Sequence, residues 1–162
     1  MFVEPPARVI GLGPPLDHYV YRTQPAILSR MAVRRFVGYM NSQRERMLGT
    51  RGGAPSRPEL VARYGYDVKY ASHALRLVYQ GLEILRDGHL TLPMPEAQRQ
   101  RVLRVKRGEV PAIVDVLAEI ADVQAEIERR LAAGDTPLPP QPDLARISTW
   151  STTAHRRFWD WT

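Results

Sequence analysis

The chain has 162 residues, 23 Lys and Arg against 17 Asp and Glu, and a net charge of +6, with 44% hydrophobic and 25% charged residues. This is ordinary composition for one globular domain with tails and excludes a wholly disordered chain. Cysteine is absent, so disulfide scaffolds, zinc–thiolate sites and cysteine nucleophiles are excluded as well.

Residues 1–25 hold Pro5, Pro6, Pro14, Pro15 and Pro25, with Gly11 and Gly13. Such a segment cannot form a long helix and is expected to be extended. From about Ala26 to Leu48, Ile27, Leu28, Met31, Phe36, Val37 and Met40 recur at helical spacing, and Gly49 ends the run. Pro58 suits a first helical position, opening a short helix over Glu59–Arg63 that stops at Gly65.

The strongest pattern runs from Asp67 to Asp87, with Gly88 as its cap. Val68, Ala71, Leu75, Val78, Tyr79, Leu82 and Leu85 form one apolar face, and Leu77 and Ile84 a second. Lys69, His73, Arg76, Gln80 and Glu83 form a narrow polar stripe between them. A helix apolar on two sides belongs at the centre of its domain, with its polar stripe lining a groove.

His89–Leu92 reads as a short extended piece before Pro93 and Pro95. Glu96–Arg107 reads as a basic helix ending at Gly108. A long helix follows from about Pro111 to Ala133, with Ile113, Val116, Leu117, Ile120, Val123, Ile127 and Leu131 as its stripe. Four prolines in 137–142 make a stiff connector, and an aromatic, cationic tail follows from Asp143. The expected fold is mainly α: a bundle of four to five helices with an extended Pro-rich N-terminal segment and little strand. Its parts are an extended segment 1–25, a helical domain 26–134, and a connector and tail over 135–162.

No apolar run approaches the roughly 18–20 residues of a membrane span. Met1-Phe2-Val3-Glu4-Pro5-Pro6 lacks the basic and apolar regions of a secretory signal, so a cytoplasmic chain with no membrane partner is expected. Lys69 and Lys106 are the only lysines; every other cation is arginine. A GC-rich genome produces that skew, and so does selection for anionic partners, because the guanidinium binds phosphate bidentately.

The four histidines have no metal-ligand spacing, and neither a nucleophile elbow nor a phosphate loop occurs. No Asp-x-Asp pair lies in a strand-like segment, so a two-metal phosphoryl-transfer site is not expected in this chain. The positive feature is Lys69, His73 and Arg76 at i, i+4 and i+7, on one helix face. They suit a phosphate or a nucleobase edge; a partly solvated face, with Arg76 or Lys69 paired to Glu83, Asp67 or an acid elsewhere, is the alternative. Arg99, Arg101, Arg104, Lys106 and Arg107 offer a second surface, for RNA or DNA or for ion pairs with neighbouring helices.

Five spaced motifs occur in order. They are Phe36-Val37-Gly38-Tyr39-x3-Gln43, Arg57-Pro58-Glu59-Leu60, Tyr64-Gly65-Tyr66-Asp67-x-Lys69-x3-His73-x2-Arg76-Leu77, Gly81-x-Glu83-Ile84-Leu85-x2-Gly88 and Lys106-x-Gly108-Glu109. Together they resemble the C-terminal helical half of the DNA-polymerase-β-like nucleotidyltransferases associated with RNA repair. The resemblance spans roughly residues 1–145. That family's catalytic sheet domain, with its Gly-Ser turn and metal-binding aspartate pair, has no counterpart in these residues.

The resemblance implies a non-catalytic module that binds nucleotide or nucleic-acid ends and works with a separate catalytic domain, which would supply the Mg²⁺. It implies no cofactor held by this chain alone. It carries over Lys69, His73 and Arg76 as pocket-lining residues, joined by Tyr66 and Asp67. The alternative expectation is a regulatory protein that has lost the transferase role. Such a protein would bind nucleic acid or another protein, with a phage origin and a homo-oligomeric state among the expectations.

Overall fold

The computed structural model describes residues 27–50 and 57–159. Among them are six helices and no strand. They are α1 (Arg30–Met47), α2 (Pro58–Tyr64), α3 (Val68–Asp87), α4 (Glu96–Lys106), α5 (Ile113–Ala133) and α6 (Leu144–Trp159). The mainly helical class is as expected. The expected extended segment 1–25 lies outside the described residues.

The chain divides into a body over Arg30–Pro137, holding α1 to α5, and a second unit containing Leu138–Thr162. Within the body α3 is the hub, contacted by α1, α2, α4 and α5. Its Val68, Ala71, Ala74, Leu75, Leu77, Val78, Ile84 and Leu85 are all buried, as the two apolar faces require. Val33 and Met40 of α1, Val105 of α4, and Val116, Ile120 and Ile127 of α5 close the core around it. At Gly81 an added Cβ would lie 3.4 Å from Phe36 Cβ and 3.6 Å from Ile127 Cδ1, so this glycine marks where α1 and α5 close on α3.

The helix ends follow local chemistry. Asp67 caps α3, its carboxylate accepting from the backbone N–H of Lys69 at 3.0 Å and of Tyr70 at 3.1 Å. Gly65, Gly88 and Gly134 end α2, α3 and α5 with φ of 80°, 72° and 69°. The start of α5 differs from the expectation. Pro111 precedes the helix, because Tyr66 Oη donates to the Val110 carbonyl at 2.6 Å and Ala112 stays extended at φ −99°, ψ 113°.

The larger correction is at the C-terminus. The tail expected after Asp143 is a helix for sixteen residues. Asp143 starts it by accepting from the Arg146 N–H at 2.9 Å, directly after Pro142. Ile147, Trp150 and Ala154 then recur at helical spacing and are all partly buried. Among the described residues no helix is long and apolar enough to cross a membrane.

Candidate functional site

The residues singled out from the sequence separate into three groups. Lys69, His73 and Arg76 share one side of α3, as their spacing requires. Lys69 and Arg76 are exposed and His73 is half-buried. Among the described residues, neither Lys69 nor Arg76 has an acidic partner. The polar stripe is not uniform, however. Glu83 is buried, and its carboxylate accepts from the Thr91 N–H at 2.9 Å, so it belongs to the base of the α3–α4 connection.

His73 is held below its ordinary value of 6.5, first by burial and then by the Arg76 charge. The Tyr39 ring of α1 stands against it, centroids 5.3 Å apart and planes at 86°. This pair joins α1 to the stripe, and spacing within one helix could not reveal it.

Tyr66 and Asp67 carry structural contacts. Tyr66 is buried and tied to Val110. Its hydroxyl is pushed up by burial, which the Arg101 charge opposes. Asp67 is buried and receives, besides the two cap bonds, Arg57 Nη1 at 3.1 Å. Arg57 also lies over the Tyr70 ring at 4.8 Å. Asp67→Ala is expected to destabilise the body by about 2 kcal/mol, from the lost cap and the broken pair. Urea unfolding measures that loss, and affinity for nucleotide should be unchanged in the folded variant.

The α4 cations do not converge. Arg99 and Lys106, seven residues apart, share one flank of the buried Val105, while Arg101 and Arg104 share the other. Arg101 is half-buried and belongs to a three-helix junction centred on Glu119. Its Nε and Nη2 donate to Glu119 Oε2 of α5 at 2.7 and 2.6 Å, while Tyr79 Oη of α3 donates to Glu119 Oε1. The Tyr79 hydroxyl is pushed up by burial and by that carboxylate. Arg99 pairs with Glu96 at 2.7 Å, and Arg104 and Arg107 lie 3.9 and 3.8 Å from Glu109. These exposed pairs are weak. They nonetheless leave α4 less uniformly positive than its composition suggests.

A separate open groove of about 370 Å³ lies between α1 and α5, lined by Arg34, Val37, Ile127, Glu128, Leu131 and Ala132. Its one cation and one carboxylate balance each other. No group of three or more His, Asp or Glu among the described residues could hold a metal ion. The α3 stripe with Tyr39 sets two cations that have no acidic partner among the described residues beside an aromatic ring and an imidazole. No protein-family model, curated protein or solved structure matches the chain.

Proposed function

We propose that the chain is a helical module that binds a nucleotide or a nucleic-acid end and works in the cytoplasm with a separate catalytic domain of the nucleotidyltransferase type. One observation supports this reading above the others. Lys69, His73 and Arg76 share the accessible side of the central helix, and among the described residues no carboxylate pairs with the two cations. Two fixed positive charges flanking a neutral imidazole suit a phosphate that also needs a hydrogen-bond partner. The same stripe lies within the longest of the five motifs that resemble the nucleotidyltransferases.

Binding of labelled nucleotides and oligonucleotides to the purified chain tests it. Lys69→Gln and Arg76→Gln should each weaken binding about ten-fold, the effect of losing one charge-assisted hydrogen bond. A double variant with unchanged affinity would remove the reading. Robust nucleotide transfer by this chain alone with Mg²⁺ or Mn²⁺ would remove its non-catalytic part.

The pH dependence has a defined sign. In the free protein His73 is held neutral by burial and Arg76, while a bound phosphate favours the imidazolium. Binding therefore takes up a proton, and affinity should rise as pH falls from about 7.5 to about 5.5. An oligonucleotide without terminal phosphate keeps the ligand charge constant, and His73→Ala should flatten the profile. Stability of the free protein changes in the opposite sense. The unfolded chain accepts the proton more readily, so the folded state loses stability as pH falls below the ordinary value of 6.5.

A further inference from the structure

The α3 stripe has a neighbour on α1 that the reading above does not use. At about 100° per residue, Arg35, Tyr39 and Arg46 fall within a narrow arc of α1. All three are exposed, and Tyr39 retains 52% of its surface despite its size. The Tyr39–His73 ring contact places this flank beside the stripe. Phe36 meets Gly81 while Tyr39 meets His73, so the two helices run in opposite directions. Arg35 accordingly lies toward the Arg76 end and Arg46 toward the Lys69 end.

The seam between the helices thus carries two rows of cations with an aromatic ring between them. At 1.5 Å per residue, the row from Arg35 to Arg46 is about 16 Å long and that from Lys69 to Arg76 about 10 Å. Among the described residues, Arg35 and Arg46, like Lys69 and Arg76, have no acidic partner. Glu45 is the one carboxylate of α1, and it projects about 100° away from Arg46. Asp67 and Glu83 are the acids nearest on α3, and both are buried in bonds of their own.

We propose that the seam takes a short single strand of RNA or DNA. Arg35, Arg46, Lys69 and Arg76 hold successive phosphates, and the Tyr39 ring stacks on a base. The proposal rests on the reading of the α3 stripe and extends it from one nucleotide to a strand. A row of about 16 Å matches about four or five nucleotides at the stacked rise of about 3.4 Å. An isolated phosphate would use one end of the seam and leave the ring idle. A base on Tyr39 uses the one surface feature that a purely ionic site would not need.

The test uses the whole chain and fluorescein-labelled oligo(dT) and oligo(rU) of one to eight nucleotides, read by anisotropy, with circular dichroism to confirm the fold of each variant. Affinity should rise with length and level off near about four or five nucleotides. Four phosphate contacts predict a slope of log affinity on log salt near about −2.8 for the long strands. Tyr39→Ala should weaken the tetranucleotide at least about five-fold, with Tyr39→Phe retaining it. Arg35→Gln and Arg46→Gln should each make the salt slope shallower by about 0.7 while leaving the mononucleotide unaffected.

A wild-type chain that binds mononucleotides through Lys69 and Arg76 but gains nothing with length overturns the strand and leaves the α3 reading intact. Unchanged affinity in the Tyr39, Arg35 and Arg46 variants does the same. Strand binding that ignores Lys69 and Arg76 overturns the joint seam and the α3 reading together. A chain that binds no nucleotide of any length also overturns both.

Discussion

Gly108→Ala is expected to destabilise the body by about 3 kcal/mol, seen as a lower urea midpoint at unchanged slope. Two separate costs add at this position. Gly108 has φ of +72°, where a side chain meets its own backbone; that conformation costs roughly 1–2 kcal/mol for an L residue. A Cβ there would also overlap Cδ1 and Cε1 of Tyr64, the last residue of α2. Moving the ring clear also disturbs the Arg63 guanidinium that lies over its face at 5.0 Å. Gly134→Ala isolates the first cost. Its φ is +69° and nothing lies within 4 Å of the added atom, so it should lose only about 1 kcal/mol. Equal losses at the two glycines would show that the contact with Tyr64 has no energetic weight.

Leu75→Ala should have a comparable or larger effect, about 3–4 kcal/mol. Leu75 is fully buried near the middle of α3, and neighbours on several sides hold the space open when the side chain is removed. The loss then combines transfer of the missing methyl groups with the cavity left behind. Leu92→Ala is the matching control. With 74% of its surface exposed, Leu92 contributes little, and the change should stay within about 0.5 kcal/mol. A small loss at Leu75 would mean that the helices around α3 collapse freely onto it.

The legible parts of the fold are those written in neighbouring residues. Pro58, the glycines at 65, 88 and 134, and the spacing from Val68 to Leu85 mark helices without any knowledge of what packs where. The double apolar face of α3 even announces its central position. The helix α6 is not legible in the same way. Four prolines precede it, and Ser and Thr break its stripe, so its signal reduces to Asp143 as a cap and three spaced apolar residues.

The candidate site divides likewise. Lys69, His73 and Arg76 follow from i, i+4 and i+7 within one helix. Tyr39 is about thirty residues distant and joins them only because α1 crosses at that register. Arg101 shows the same dependence on tertiary contact. Its sequence neighbourhood is basic, yet its partner is a glutamate on another helix. Glu83 falls on the polar stripe by angle but turns inward to a backbone N–H of the following loop.

The central position of α3 also governs how the candidate site can move. A ligand groove is commonly built on loops or edges that open by local fluctuation, with low protection of their amide protons. Here the stripe lies on the element that all the other helices of the body contact. The backbone beneath His73 and Arg76 is therefore expected to exchange its amide hydrogens only through cooperative opening of the whole body, while the Lys69 amide, held by the Asp67 cap in the first turn, exchanges sooner. Occupancy of the stripe is then felt in full by the folding equilibrium, as mass action requires of a ligand that binds only the native state.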